Sequence, residues 1–472
     1  MIPITEYAGR DVAVFGLGRT GLSAAKALEA GGARVHAWDD NETTREKAEA
    51  AGINLSDINK RDWQNFAALV LSPGVPYKFP QPHRIVRMAE MTGIPVVGDM
   101  ELFARAVQQL PERGRPKVVG ITGTNGKSTT TALIGHILKE AGRDARVGGN
   151  IGKGVLDMAP LHANAIYVLE LSSYQLDLVK SLHCNVGVFL NLSPDHLDRH
   201  GGLEGYADAK KQIFANQTRA DYAIVGVDDL FSQALSMGLS SRKTARVVQV
   251  SSEYALGRGV SAVHGQLYDS LTGKAMPIGD LGKAPALPGR HNHQNAAAAY
   301  AACRVLGLEP GVILEGIKSF PGLAHRLEIV GTVDGVRFIN DSKATNAEAA
   351  KQALKAFPRV YWIAGGKAKS DGIDALEPCF SRVAKAYLIG EAQDKFAQTL
   401  DGHTSVEKSG TLENAILHAL RDAKAADEPD PVILLSPACA SFDQFKDFEA
   451  RGDAFRNIVL GLLGQDAIME PA

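Results

Sequence analysis

Cysteine is scarce. The 472-residue chain has four, Cys184, Cys303, Cys379 and Cys439, too far apart for any pair to have metal-ligand or redox spacing. In a chain of this size they read as small buried hydrophobes in a reducing compartment, not as a disulfide framework. Excess charge is also absent. Lys plus Arg number 51 and Asp plus Glu 53, and the net charge of -2 gives no general pull toward nucleic acid or an anionic membrane. No apolar stretch approaches the ~20 residues that span a bilayer. The opening "MIPITEYAGRDVAVFGLG" lacks a basic region followed by a signal-like apolar run. There is no short internal repeat and no low-complexity tract. What remains is a chain with 45 % hydrophobic and 22 % charged residues, ordinary for a soluble globular protein and too long for one core. A cytoplasmic protein of three domains is expected.

Along the chain, strand-like and helix-like patterns alternate. "DVAVFG", "ARVHAWDD", "AALVLSPGV" and "IPVVGD" read as strands in the first hundred residues, with the helical "TGLSAAKALEAGG" between the first two. After the polar connection "LPERGRPK" the alternation restarts with "KVVGIT", "AIYVLEL", "VGVFLNL" and "DYAIVGV". Residues 247–287 differ and read as short strands or hairpins. A third alternating block carries "GVRFIND", "RVYWIAGG", "KAYLIGE" and "PVILLSPA". Strands alternating with helices predict βαβ units and parallel sheets. The alternation reads as three α/β blocks in series; with the resemblance given below, the expected fold is α/β in three domains: a Rossmann-like N-terminal domain (1–97), a central P-loop ATPase-type domain with an extra small β-sheet (98–322) and a C-terminal Rossmann-like domain (323–472).

The segment "GITGTNGKSTTTALIGHIL" (120–138) has the parts of a phosphate-gripping loop. Gly123 and Gly126 let backbone N–H groups approach an anion, and the helix that follows presents its positive end. Lys127 suits the β/γ phosphates and Ser128 suits Mg²⁺. The common pattern asks for glycine where Ile121 stands, with Gly120 and Gly123 flanking that position. The bland reading is a glycine-rich strand-to-helix turn with an exposed lysine. The order strand, turn, helix favours a bound ATP or similar nucleotide.

Glu170 ends the apolar strand "AIYVLEL". A carboxylate there is costly unless it meets a cation, and strand C-terminal ends face the ligand crevice of parallel sheets. Glu170 is therefore a metal-site candidate, although a solvated strand-end acid fits as well. "NLSPDHLDRH" gathers Asp195, His196, Asp198 and His200 at the next strand exit and reads as a catalytic or metal loop, without zinc-protease spacing. Lys210, in "YADAKKQIFANQ", reads by itself as a solvent-exposed helical lysine.

In order, the chain contains "TGTNGKST", "GGNIG", "LELSSYQL", "NLSPDHLDRH", "GRHNHQN", "AHRLE", "NDSKATN" and "LLSPACASFDQF". Together, across nearly the whole chain, these resemble the Mur ligase family, which couples ATP cleavage to amide-bond formation in peptidoglycan precursor synthesis. The ending "LLSPACASFDQFKDFEARGDAF" and the N-terminal glycines look most like the D-glutamate-adding branch. The resemblance implies ATP, UDP-N-acetylmuramoyl-L-alanine and D-glutamate as substrates, a pair of Mg²⁺ ions, and a monomer in the bacterial cytoplasm without nucleic-acid partners or membrane insertion.

The resemblance also assigns residues. Gly123, Thr124, Asn125, Gly126, Lys127, Ser128 and Thr129 would hold ATP, with Asn295 facing the nucleotide (Asn292 a second candidate) and Arg326, Asp341 and Lys343 reaching it from the third domain, which would close over it. Ser128 and Glu170 would hold the first Mg²⁺. His196 and Lys210 would serve the second, with Lys210 carbamylated into a carboxylate-like ligand that also orients Lys127. Lys127, His196, Lys210 and Arg326 form the implied catalytic set. The UDP-sugar would meet Gly18, Arg19, Thr20, Asp39, Ser72, Gly74, Asn150 and Ser172. Asp40 and Asn41 depart from the Thr-Arg that follows the acid in some relatives. Thr345, Lys369, Ser441 and Phe448 would surround D-glutamate, with Lys367 the alternative to Lys369.

Read by itself, Gly16, Gly18 and Gly21 with Asp39 make a dinucleotide fingerprint. That reading predicts an NAD(P)-dependent dehydrogenase fused to a nucleotide-binding module. A family member adding a different amino acid, or glutamate to folate, is the nearer rival. A non-catalytic ATP switch would leave Glu170, His196 and Lys210 idle.

Overall fold

The computed structural model describes residues 1–367, 372–426 and 428–469. Among them the chain forms two compact units, Met1–Leu281 with His293–Lys318, and Gly282–Asn292 with Ser319–Ala472.

The first unit holds two sheets. One has the order β2-β1-β3-β4, with β1 Asp11–Phe15, β2 Arg34–Trp38, β3 Phe66–Leu71 and β4 Val96–Val97, all parallel. The other has the order β13-β12-β11-β10-β9-β8-β5-β7-β6. Its strands are β5 Lys117–Thr122, β6 Asp144–Gly149, β7 Ala165–Glu170, β8 Val186–Phe189, β9 Tyr222–Gly226, β10 Arg246–Ser251, β11 Val260–Val263, β12 Gln266–Asp269 and β13 Met276–Asp280. The short strands expected to form an extra small sheet instead extend this one. β10 bonds to β11 in parallel through Val250 and Ser251, and β11 to β13 continue as an antiparallel edge. Backbone pairing across those two positions is enough to merge the hairpins into the central sheet.

Side-chain alternation explains why these sheets are covered on both faces. In β1, Val12 and Val14 join one apolar cluster while Ala13 and Phe15 join another. The first cluster continues through Phe103, Tyr167 and Phe189, so the two sheets of this unit share a core. Each fully buried Val, Leu or Ile there contributes about 1.5–3 kcal/mol relative to exposure.

The second unit carries a sheet of order β14-β15-β19-β16-β17-β18, with β14 Glu328–Val333, β15 Val336–Asn340, β16 Val360–Gly365, β17 Val383–Ile389, β18 Ser405–Gly410 and β19 Val432–Leu435. Only the β14–β15 pair is antiparallel. Trp362 and Ala364 of β16 face one cluster, and Tyr361 and Ile363 face the other.

Strand order places the crevices. From β5 the chain runs to β6 and β7 on one side and to β8, β9 and β10 on the other, so the loop after β5 lies at a topological switch point. The glycine turn after β1 is in the same position between β2 and β3. There the helix Arg19–Ala30 packs so closely that a Cβ on Gly21 would lie 1.8 Å from the Gly16 carbonyl oxygen. Gly21→Ala is therefore expected to destabilise this unit by about 1–3 kcal/mol. Urea unfolding followed by the fluorescence of Trp38 and Trp63 measures the effect, and an unchanged midpoint would refute the close approach.

Candidate active site

The loop between β5 and the helix Lys127–Glu140 needs glycine for its backbone. Gly123 has φ 149° and Gly126 has φ 84°, conformations that L side chains rarely adopt. At Gly126 a Cβ would also lie 2.2 Å from Asn295 Oδ1, which puts Asn295 directly against the loop. Thr124 and Asn125 are held from the β8 exit. Asn191 accepts from the Asn125 N–H through its side chain and from the Thr124 N–H through its carbonyl, and Thr124 Oγ1 donates to the Ser193 carbonyl. Ser128 is buried in the first turn of the helix, and Thr129 beside it is half-buried.

Lys127 Nζ donates to the carbonyl oxygens of Gly123 (3.0 Å) and Thr124 (2.7 Å). Lys210, on the helix Leu203–Lys211, is 1 % exposed and donates to the same Gly123 oxygen at 2.7 Å. The solvent-exposed lysine read from the helical pattern is thus one of the most buried side chains in the protein. Desolvation, reinforced by the Lys127 charge, holds its amine well below the usual lysine range, against the opposing pull of Asp195 and Glu170.

Glu170 closes β7 at 3 % exposure. Its Oε1 accepts from Asn150 Nδ2 at 2.9 Å, while Oε2 has no hydrogen-bond partner. His196 occupies a left-handed backbone position (φ 51°) with Nε2 3.5 Å from Asp195 Oδ2. Burial lowers its pKa, Asp195 opposes this, and the charges of Lys127 and Lys210 lower it further. His200 separates from the loop cluster: it is buried between Asp177 and Ser173. Among the described residues no group of three or more His, Cys, Asp or Glu side chains is arranged so that it could hold a metal ion.

The expected sugar-nucleotide residues cluster around the β1 turn. Arg19 donates to the Gly152 carbonyl (2.9 Å) and the Asn150 carbonyl (3.1 Å), joining the glycine turn to the β6 exit. Thr20 Oγ1 is 3.2 Å from Ser72 Oγ, and Arg199 donates to the Gly74 carbonyl. Gly18 caps the Arg19–Ala30 helix. Both Asp39 carboxylate oxygens accept backbone N–H groups, from Leu17 and Asn41, so Asp39 ties the β2 end to the glycine turn. Ser172 and Gln175 form a reciprocal capping box on the short helix Ser173–Leu176.

The second unit gathers its own set at the ends of β15, β19 and β16. Asp341 accepts from Ser436 Oγ (2.9 Å) and the Leu327 N–H (3.2 Å), and burial pushes its carboxyl up to about 7 although Arg326 pulls it down. Lys343 Nζ lies 5.1 Å from the centroid of the Phe448 ring. Thr345 donates its N–H to the Lys343 carbonyl, and Ser441 is buried at the start of the final loop. Asn292 donates to the Pro288 carbonyl. Lys367 is exposed and its N–H bonds the Ala440 carbonyl, whereas Lys369 lies outside the described residues.

Comparison with known proteins gives these sites a common context. The description "Mur ligase MurD-like, N-terminal domain" matches residues 10–98, "Mur ligase middle domain" residues 121–303 and "Mur ligase, glutamate ligase domain" residues 325–439. A UDP-N-acetylmuramoylalanine--D-glutamate ligase of Caulobacter vibrioides is 55 % identical over 462 residues, 98 % of each chain.

The chain belongs to the Mur ligase family.

A second relative of the same name, from Rhodospirillum rubrum, is 49 % identical over all of this chain and 98 % of its own. Solved Mur ligase structures share the fold at low identity. UDP-N-acetylmuramate-alanine ligase from Thermotoga maritima aligns with TM-score 0.57 at 16 % identity, over 96 % of this chain and 99 % of that one. A pseudomurein peptide ligase type C from Methanothermus fervidus gives 0.54 at 18 %, over 96 % and 100 %. The glycine fingerprint falls inside the family's N-terminal domain, so the dehydrogenase reading is set aside. No helix among the described residues is long and apolar enough to cross a membrane.

The family implies ATP and Mg²⁺, and the donor chemistry fits a hard cation. Mg²⁺ takes oxygen ligands and keeps several waters. The unpartnered Glu170 Oε2, buried within electrostatic reach of Lys210, is an oxygen of that kind. Sequence reasoning missed two residues of this Mur ligase. Tyr206 donates to Thr124 Oγ1 and lies beneath Lys210. Arg451 is wholly buried and bonds Ser342 and the Cys439 carbonyl, clamping two candidate loops together. Both stand in segments quoted above, Tyr206 at the head of "YADAKKQIFANQ" and Arg451 in "EARGDAF", but their partners come from distant elements that no local pattern marks.

Lys210 generates a pH-dependent prediction. A base whose native pKa is depressed destabilises the fold below its unfolded pKa, and the penalty grows as pH falls from about 10.5 toward the native value. In ligand-free, bicarbonate-depleted buffer, Lys210→Met should raise stability near neutral pH. The gain should shrink as pH approaches 10. Denaturant titration at pH 7 and 9.5 checks this, and a difference between the variants that does not change with pH would show that the native pKa of the amine is not depressed.

Proposed function

We propose that this Mur ligase joins D-glutamate to UDP-N-acetylmuramoyl-L-alanine, with cleavage of ATP to ADP and phosphate, as a monomer in the bacterial cytoplasm. The observation that carries the substrate assignment is 55 % identity across 98 % of the chain with a ligase named for these substrates. The convergence of Lys127 and Lys210 on Gly123, beside Glu170, supports the chemistry. The working partition is 1–97 for the sugar nucleotide, 98–322 for ATP and 323–472 for the amino acid.

A carboxylate resists nucleophiles because of its charge. Transfer of the γ-phosphoryl group from ATP to the L-alanyl carboxylate breaks the bond to ADP and forms an acyl phosphate. The D-glutamate amine attacks that carbonyl, giving a tetrahedral intermediate. Inorganic phosphate leaves, the amide forms, and the amine proton passes to the medium. The protein's part is positioning and charge neutralisation.

In this reading Gly123, Thr124, Asn125, Gly126, Ser128 and Thr129 cradle the phosphates, and Lys127 follows the charge of the moving group. Asn295 meets the nucleotide from beside Gly126. Arg326, Asp341 and Lys343 contribute from the second unit, where Thr345, Ser441, Phe448 and Lys369 or Lys367 receive D-glutamate. Gly18, Arg19, Thr20, Asp39, Ser72, Gly74, Asn150 and Ser172 bind the UDP-sugar, its diphosphate at the helix start after the glycine turn. Ser128 with Glu170, and His196 with a carbamylated Lys210, would hold the metal ions. Bound Mg²⁺ would neutralise charge on the transferring phosphoryl group. The depressed pKa of Lys210 favours carbamylation, since a neutral amine adds CO₂ and releases a proton.

Phosphate release tests the reading. With UDP-N-acetylmuramoyl-L-alanine, ATP and Mg²⁺ present, turnover should require D-glutamate and not accept L-glutamate, L-alanine or a diamino acid. Equal turnover with those acids would overturn the substrate assignment. Lys127→Ala should lower kcat by about 10²–10³-fold or more while UDP-sugar binding persists. Loss of both would mean the sugar nucleotide binds elsewhere. ¹³C-labelled bicarbonate should give a carbamate resonance that Lys210→Met removes.

A further inference from the structure

The buried His200 has both ring nitrogens engaged. Nδ1 lies 3.0 Å from Asp177 Oδ2 and Nε2 lies 2.9 Å from Ser173 Oγ. Serine, histidine and carboxylate in that order have the spacing of a nucleophile triad. Ser173, however, is itself buried and does not border the cavity beside His200, so its hydroxyl has no route to a substrate there. The arrangement works as a clamp that sets the plane of the imidazole ring.

That ring is the middle of a column. Tyr206 packs against it at 5.4 Å between centroids, and Tyr174 stacks on it at 5.5 Å with an interplanar angle of 11°. Tyr174 in turn meets His196 at 5.1 Å. Both ends reach candidate site residues. The Tyr206 ring lies 4.5 Å from Lys210 Nζ, and its hydroxyl donates to Thr124 Oγ1 of the phosphate loop. Tyr174 carries the Arg199 guanidinium 4.7 Å from its centroid. A cavity of about 530 Å³, lined by Tyr77, Phe79, Asp177, Asp208 and Gln212 among others, borders His200 as well. The ring itself is enclosed, its side chain 1 % exposed, and the two hydrogen bonds and the stack set its plane within that enclosure.

We infer that His200 is a positioning residue for the ligation reaction: clamped by Asp177 and Ser173, it holds the ring column that sets His196 at one end and Lys210 at the other. This rests on the proposed ligase activity. A catalytic group displaced by an ångström costs rate more than affinity, so the effect belongs in kcat.

The test uses the full chain with ATP, Mg²⁺, UDP-N-acetylmuramoyl-L-alanine and D-glutamate. His200→Leu should lower kcat by about 10²-fold while each KM stays within a small factor. His200→Phe keeps the stack but gives up both hydrogen bonds of the clamp, so it should recover only part of that loss. Tyr174→Leu breaks the column beyond the clamp and should give the same kcat loss at constant KM, so it carries the test if His200→Leu does not fold. Histidine-selective ¹⁵N NMR should show the His196 resonances displaced in His200→Leu and in Tyr174→Leu, and displaced less in His200→Phe. Wild-type kcat in a folded Leu variant, or a loss that the Phe variant does not reduce, would overturn the inference. The NMR readout needs no turnover. An inactive wild-type enzyme therefore speaks against the ligase reading, and unmoved His196 resonances speak against the column.

Discussion

Two lysine side-chain nitrogens reach for one backbone carbonyl oxygen, that of Gly123, and much of the first unit is arranged around this contact. Like charges at such close quarters are unfavourable, and more so where water is excluded. The protein meets the problem in two ways. Burial moves the Lys210 amine toward its neutral form, and anionic groups, Glu170 and Asp195, stand within electrostatic reach. The remaining imbalance is an attraction for negative charge at the mouth of a helix whose own N-terminal dipole points the same way. A triphosphate satisfies all three elements together, which is why loop, helix and lysines are intelligible as one device.

The three sheets present their chemistry in the same manner. Gly16, Asp39 and Ser72 follow β1, β2 and β3. Gly123, Glu170 and Asn191 follow or close β5, β7 and β8. Asp341, Ser436 and Lys367 follow β15, β19 and β16. A parallel sheet brings the carboxyl ends of its strands to one edge, so residues far apart in the chain become neighbours without long loops. Rigid strands then hold the polar groups, and short turns aim them. The hydrogen bond from Asn150 to Glu170 and the Arg19 bonds to the Asn150 and Gly152 carbonyls tie the first two such edges within one unit.

Central strands were legible from the chain alone. "KVVGIT", "AIYVLEL", "VGVFLNL" and "RVYWIAGG" are buried on both faces, so their apolar runs are continuous. The strands that escaped notice, β6, β14 and β18, are sheet edges and interrupt their apolar residues with glycine and charge. Edge strands are half-solvated, and composition carries little of their signal. The separate small sheet expected from residues 247–287 also dissolved into the central one, because hairpin patterns do not say which edge they will join.

The sequence by itself determined the order of the βαβ units, the phosphate loop with its glycines and lysine, and the family, since those depend on local pattern and on motifs in register along the chain. Only the tertiary structure decided that Lys210 is buried against Gly123, that His200 leaves the metal-loop cluster to stand between Asp177 and Ser173, and that Arg451 pins two loops from the inside. Burial and the company a charged side chain keeps are set by elements distant in sequence, and no local pattern encodes them.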